Sequence, residues 1–377
     1  MSISNTSASG KRKQTRSAVY QYLYAVRAPR SKLKIAQDLN LSMPTVYQNV
    51  NELLEKGYIE YCGLQQPSFG RPAMMLRTVD NARYAIGIYI SPREIHMSAT
   101  DLSRTEIAYR RIPHGFDPGS PESNAFIAKE LENYIDSNGI PRDRLLGVGI
   151  VIPGVISPDE TKLLYAPTLG LRDLDLRPLR ETIPYPTRVE NDATSGGFAE
   201  WYNSRERNSI AYLSLVSGVG GTILVNGALY AGNNNRSGEF GHMCVEWNGR
   251  PCSCGKRGCL EAYCSSARFQ EELGMEPEEF FFRLRERDPK VLPFWEDYKR
   301  HLVIGIHNIH MALDCDVVLG GFLAEYLEPH LDELRKMLSE ADPFDTQKNF
   351  LRVNRNSRFG SIIGAAFYFI RDFVDSI

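Results

Sequence analysis

No apolar run in this chain approaches the ~20 residues that a bilayer-spanning helix needs. Residues 145–152 form one such run, and Pro153 stops it. The N-terminus also lacks the apolar stretch of a secretory signal, opening Met1-Ser2-Ile3-Ser4 and then turning basic. The expectations are no membrane partner and cytoplasmic residence. Net charge of either sign is missing too, at −2 over 377 residues, which taken whole gives a polyanion no reason to approach. The length excludes a small disulfide-stapled scaffold and allows two or three domains with buried cores. The near-zero charge, however, is a sum of unlike parts. Residues 1–80 hold 11 Lys and Arg against 5 Asp and Glu, a balance of +6, which leaves 33 against 41, or −8, for the rest. A basic head precedes an acidic body.

The first ten residues show no periodicity and lead into Lys11-Arg12-Lys13-Gln14-Thr15-Arg16, which reads as a disordered basic arm or, more blandly, a solvated tail with no partner. Three helical patterns follow from about Thr15. Val19, Tyr22, Leu23 and Val26 recur at helix spacing before Pro29, and Leu33, Ile35, Ala36 and Leu39 do so over 31–39. After the turn Asn40-Leu41, Ser42 is placed to cap a third helix and Pro44 fits its first turn. Val46, Val50, Leu53 and Leu54 form its apolar stripe, and Gly57 ends it. Three short helices with a tight turn before the third is the helix-turn-helix order. Strand-like stretches at 58–62 and 73–79 around a turn-rich tip would add a wing. Ser42 and the polar face Thr45, Tyr47, Gln48 and Asn49 suit DNA, because Gln and Asn pair bidentately with adenine while hydroxyls reach phosphates. Arg71, between Gly70 and Pro72 on the tip, suits a narrow minor groove. Residues 1–80 are therefore expected to be a winged helix-turn-helix bound to operator DNA as a homodimer or tetramer, since two half-sites need two heads. The alternative is a helical packing domain with a solvated face.

Asp80-Asn81-Ala82 marks a boundary, beyond which strands alternate with helices. Residues 84–90 and 95–101 are strand-like, 124–137 helical, and 146–152 a buried strand ending at Pro153-Gly154. The grammar then recurs: strands at 210–216 and 222–225 around a Gly-rich turn, a helix at 301–313, a short strand at 316–319 and a final helix at 362–373. Two βαβ-type lobes over 81–377, with a cleft between them, are the economical α/β reading.

One His and three Cys, His242, Cys252, Cys254 and Cys259, form a tetrahedral structural zinc set, with Gly255 and Gly258 allowing the turn between them. A disulfide or a redox thiol is the alternative, though cysteines two apart bridge poorly and the cytoplasm is reducing. Cys62, Cys244, Cys264 and Cys315 have no such grouping and read as free core cysteines. His307 and His310 read as a packed or solvated pair.

The winged helix, Pro153-Gly154-Val155, Glu190-Asn191-Asp192-Ala193, Gly238-Glu239-Phe240-Gly241-His242, the Cys cluster and Cys259-Leu260-Glu261 occur in an order that resembles the ROK family of sugar kinases and sugar-responsive repressors. The resemblance spans nearly the whole chain. It implies an actin-like, ribonuclease-H-like two-lobed body, with lobe one at about 81–192 plus the C-terminal helix and lobe two at about 193–360. It places Asn191, Asp192, Glu239, His242 and Glu261 on sugar-contacting positions. Carboxylates, an amide and an imidazole can indeed orient a ring of hydroxyls; a turn at Asn191-Asp192 and a surface charge at Glu239 are the bland alternative. The added head points to the repressor branch, acting on carbohydrate-utilisation genes and answering to a sugar or sugar phosphate. An ATP-dependent sugar kinase, or a regulator controlled by a sugar-transport protein, is the alternative. Kinases of the family open with Asp-x-Gly-Gly-Thr, where this chain has Tyr89, Ser91 and Pro92, adding side chains and removing an N–H donor. Asp192 keeps the base position and the second glycine turn, Ser217-Gly218-Val219-Gly220-Gly221-Thr222, is partly kept, but with half of the phosphate site gone no enzyme activity is expected.

Overall fold

The basic run at the N-terminus is helical. In the computed structural model, which describes residues 8–65, 72–117, 119–166, 169–204, 208–234, 236–342, 344, 350–354 and 360–377, helix α1 covers Ala8–Val26. The expectation of a disordered arm up to Arg16 is thus corrected. Arg12 and Arg16 both pair with Glu52, Arg16 at 2.9 Å, so a contact 36 residues away holds turns that local composition leaves unsupported. Strand β1 (Arg30–Ser31) leads into α2 (Lys32–Asp38), capped by Ser31, and α3 (Met43–Glu55) is capped by Ser42, whose Oγ accepts from the Thr45 N–H at 3.3 Å. Ile35, Val46, Val50 and Leu53 are buried with Val19, Tyr20 and Leu23.

Two expected placements are reversed. Leu33, assigned to the apolar stripe, is 56% exposed. Asn49, assigned to the DNA-facing side, is 1% exposed and its Nδ2 donates to the Thr45 carbonyl at 2.8 Å. Spacing explains the second: 46, 49, 50 and 53 are i, i+3, i+4 and i+7 of one helix face. Strands β2 (Ile59–Gln65) and β3 (Ala73–Thr78) pair antiparallel, with β1 on the far side of β3. The hairpin tip, including Arg71, lies outside the described residues.

The body repeats one topology. Strands β4 (Tyr84–Ile90), β5 (Ile95–Asp101) and β6 (Glu106–Ile112) form an antiparallel meander. Helix α4 (Pro121–Ser137) then returns the chain to β7 (Leu145–Ile152), parallel to β4. A small sheet of β8 (Val155–Ile156), β9 (Lys162–Ala166) and β10 (Leu171–Asp175), followed by α5 (Arg177–Thr182), precedes β11 (Thr187–Asn191), parallel to β7. Helix α6 (Asp192–Asn203) crosses to the second lobe. There β12 (Ile210–Leu215), β13 (Val219–Val225) and β14 (Ala228–Leu229) form a second meander. Helices α7 (Glu261–Cys264), α8 (Ala267–Leu273), α9 (Pro277–Arg285) and α10 (Leu292–Leu313) lead to β15 (Asp316–Gly320), parallel to β12. Helices α11 (Ala324–Leu327) and α12 (Leu331–Ala341), β16 (Leu351–Val353), parallel to β15, and α13 (Gly360–Ser376) complete the chain. Both sheets therefore run third, second, first, fourth, fifth strand, and the ends of their parallel strands face a common cleft.

Helix α13 packs between the first sheet and α6, and its last turns reach the head. The Phe373 ring stands edge-on to Tyr58 at 5.2 Å and to Tyr20 at 6.4 Å, so one apolar cluster runs from α1 into the body. Among the described residues no helix is long and apolar enough to cross a membrane.

Candidate metal centre and ligand cleft

A short helical turn at Phe240–His242 and a tight knuckle at 252–259 bring His242, Cys252, Cys254 and Cys259 together, their donor atoms all within 4.8 Å of one another. Gly255 (φ +85°) and Gly258 (φ +79°) sit in the left-handed region, and a Cβ at Gly258 would lie 1.8 Å from the Glu246 carbonyl, so that turn admits only glycine. The Sγ atoms of Cys254 and Cys259 are 3.8 Å apart, as are Cys252 Sγ and His242 Nδ1. That spacing is close to the edge of a tetrahedron with ~2.3 Å metal–sulfur bonds. It is nearly twice a disulfide bond of ~2.05 Å. The donor set fits a tetrahedral metal ion, and the cysteines are free thiols.

Cys244 is exposed, against the expectation of a core residue; its backbone bridges to that of Cys259, which keeps it at the rim of the knuckle. Cys264 is buried, and Cys62 and Cys315 are partly so. His310 is packed, stacked on Phe350 and donating from Nδ1 to the Cys315 carbonyl at 3.0 Å.

Asn191 and Asp192 do not make a loop turn. Asn191 caps α6: its Oδ1 accepts from the Ala193 and Thr194 N–H groups and its Nδ2 donates to the Gly154 carbonyl at 2.8 Å. Asp192 is the first residue of the helix, where the dipole favours an anion. Glu239 lies across the cleft, its Oε2 4.0 Å from His242 Nε2. The His242 ring thus turns one nitrogen to the cysteine cluster and the other to Glu239. Glu261 is more committed than expected: one oxygen accepts from the Val219 N–H at 3.0 Å and the other from Ser253 Oγ at 2.9 Å.

Two cavities lie at the start of α6: Asp192 lines the larger, Asn191 and Glu239 the smaller, and His242 and Glu261 are in the lining of neither. The smaller, about 230 Å³, is lined by Glu160, Arg188, Glu190, Asn191, Tyr230 and Glu239 among others. Arg188, Glu160 and Tyr230 come from separate segments, and their one signal in the sequence is the pair of charges around Val189, the one buried residue of β11. The larger, about 400 Å³, lies between the two meanders and touches Tyr89, Glu94, Asp192, Ser217 and the first turn of α13. The turn after β4 closes on itself at the edge of this cavity. Ser91 Oγ accepts from the Glu94 N–H at 3.1 Å and donates to the Glu94 carbonyl at 2.8 Å. Glu94 itself is held by His96 and Arg111.

Burial pushes the Asp192 carboxyl from 3.8 up to about 6, against the Ala193 N–H that favours the anion. The ionised group therefore costs stability above that pH. The cost is relieved as pH falls from about 6 toward 3.8, where the folded chain binds the proton and the unfolded chain does not. Asp192→Asn is expected to melt above the parent protein near pH ~7.5, with the difference shrinking toward pH ~4.5. A difference that stays constant across that range contradicts the burial of the charge.

These features define a class, the two-lobed α/β fold of sugar kinases and actin, with a Cys₃His cluster beside the cleft. The chain belongs to the ROK family, whose profile matches residues 85–372. It is 29% identical over 324 residues, 83% of each chain, to the xylose repressor of Bacillus subtilis, and 27% identical over 264 residues to the transcriptional dual regulator NagC of Escherichia coli, covering 69% of this chain and 65% of that one. In fold it matches a ROK family transcriptional regulator described as a homologue of the Escherichia coli Mlc protein, with a TM-score of 0.77 at 20% identity over 97% of both chains. A ROK glucokinase from Streptomyces griseus, solved with glucose and AMPPNP, aligns with a TM-score of 0.65 at 20% identity, over 76% of this chain and 98% of that one.

Proposed function

We propose that this chain is a sugar-responsive transcriptional repressor, with residues 1–80 a winged helix-turn-helix that binds operator DNA and residues 81–377 a sugar-sensing body. The observation that carries the reading is that Asn191 and Asp192 at the start of α6 stand at the two cavities while Glu239 faces His242 of the cysteine cluster, in a chain whose basic head stands on the same structure. Relatives named as repressors support it. Zinc at His242, Cys252, Cys254 and Cys259 holds the His242 ring so that its second nitrogen donates toward the cleft. On the head, Ser42, Thr45, Tyr47 and Gln48 face DNA, with Arg71 a further contact expected from the sequence alone. Tyr47 and Gln48 are exposed; Lys32 lies over the Tyr47 ring at 4.2 Å, and with its oxygen turned inward Gln48 accepts from Arg12 at 3.2 Å. The protein acts in the cytoplasm as a homodimer or tetramer, which presents two heads to two half-sites. It does not transfer phosphate, because the donors a phosphate would need are bonded within the 91–94 turn.

The effector is an uncharged sugar rather than a sugar phosphate. Glu160, Glu190 and Glu239 line the smaller cavity, and Arg188, its only Lys or Arg among the described residues, is held by Glu160 at 3.3 Å and lies over the Tyr368 ring. A phosphate would meet the Glu160 and Glu239 carboxylates, with Glu190 pushed up to about 7 by burial, and the nearest cations are Arg188, already held by Glu160, and Arg236 beside Glu239. In a thermal-shift screen, one of D-xylose, D-glucose or N-acetylglucosamine is expected to raise the midpoint, a ligand at 100 times its Kd adding ~2.7 kcal/mol, and the matching sugar phosphates are not. A shift with phosphates alone reverses the charge assignment. No shift with any sugar contradicts sugar sensing.

A further inference from the structure

We propose that Arg104 is a positioning residue that couples the ligand cleft to the head, an inference resting on the function proposed above. Helices α6 and α13 both start at the cleft, α6 at Asp192 and α13 at Gly360, whose first turn lines the larger cavity. They run side by side in the same direction, with Ser195 against Ser361 and Phe198 against Tyr368. At ~1.5 Å per residue they carry the cleft's geometry ~18 to 25 Å away. The two helices are locked together. A Cβ at Gly364 would lie 1.9 Å from the Ser195 carbonyl, and the Phe198 and Tyr368 rings stack 4.0 Å apart at 5°.

Both far ends meet the head. Phe373 of α13 packs on Tyr20 and Tyr58. At the end of α6 Tyr202 lies beside Tyr24 of α1, and Arg104, on the turn between β5 and β6, joins both. Its Nη1 donates to the Tyr202 carbonyl at 2.8 Å, and its guanidinium lies 5.3 Å from the ring centres of both Tyr202 and Tyr24 of α1. The Arg104 backbone is left-handed (φ +65°), a conformation unusual for a residue with a side chain, so the turn fixes where the guanidinium stands. Tyr24 and Tyr202 are both buried. One cation thus touches the first sheet's turn, the end of the helix that Asn191 caps, and the first helix of the head. Movement of α6 when the cleft fills must change the Tyr202–Arg104–Tyr24 stack.

The test measures operator Kd by anisotropy, with and without whichever of D-xylose, D-glucose or N-acetylglucosamine raises the melting midpoint. The DNA is a duplex selected by the full-length protein from a random-sequence library. Allosteric ratios are typically ~5 to 150-fold. Arg104→Met keeps the aliphatic stem and removes the charge. It is expected to leave sugar Kd within about twofold of the parent while cutting the sugar-induced ratio in operator Kd at least about fivefold, and Arg104→Lys to recover part of it. A merely structural role would lower the melting midpoint and leave the ratio in place. Tyr24→Leu, which removes the ring on the head side alone, decides the matter if Arg104→Met does not fold, and must also lower the ratio. Retention of the parental ratio in the folded variants overturns the inference and leaves the repressor reading standing. No ratio in the parent protein overturns both.

Discussion

Stripping the metal from the Cys₃His cluster is expected to lower the melting midpoint by ~10 °C or more and to weaken sugar binding at least about tenfold. The two effects have one origin. The knuckle at 252–259 has no helix or strand of its own, and its hold on the body runs through the donor set and the residues beside it. Glu261, two residues after Cys259, accepts from the Val219 N–H and so fixes the turn between β12 and β13. A metal on His242 Nδ1 leaves the proton on Nε2, which faces Glu239 and the cleft. Without an ion the ring would be free to rotate, and the thiols would keep only long contacts such as Cys252 Sγ to a Glu261 carboxylate oxygen at 3.7 Å. Metal content by elemental analysis, the melting curve and sugar titration, made on the parent, a chelated sample and Cys259→Ser, test this together. A metal-free sample that stays folded and binds sugar with unchanged affinity contradicts the coupling.

Gly364→Ala is the second large effect. The added methyl would sit 1.9 Å from the Ser195 carbonyl, backbone against backbone, so neither side can rotate away. The helices must separate, and the Phe198–Tyr368 stack and the bond from Ser195 Oγ to the Ser361 carbonyl go with them. Overpacking of this kind costs ~1 to 3 kcal/mol where side chains can yield. With only backbone to yield, about 3 kcal/mol or more is expected, read by chemical denaturation. A variant as stable as the parent would mean that α6 and α13 are not locked.

What the sequence made legible was local. The bounds of β4 and β5, the cap Ser42, and the metal donors all rest on residues near one another in the chain. Helix α6 is not legible locally because Thr194, Ser195, Gly196 and Gly197 in its first turns are poor helix formers. Packing makes it helical: Gly197 lies so close to Thr222 that a Cβ would clash at 2.0 Å. The N-terminal turns of α1 are held by Glu52, far along the chain, and Asn49 is polar yet buried because its i, i+3 spacing from Val46 places it on the apolar face. The cavity wall of Glu160, Arg188 and Glu239 joins three separate segments, and no periodicity announces such a meeting. The kinase question divides in the same way. Tyr89, Ser91 and Pro92 showed that the phosphate turn had changed, but only the structure shows Ser91 occupying the Glu94 N–H.

The most direct test is operator binding by the full-length protein, followed by anisotropy as D-xylose, D-glucose, N-acetylglucosamine and their phosphates are added in turn. A sugar-responsive repressor should show a change of about tenfold or more in operator Kd with one uncharged sugar, at unchanged salt. Tight DNA binding that no sugar or sugar phosphate shifts would contradict the assignment.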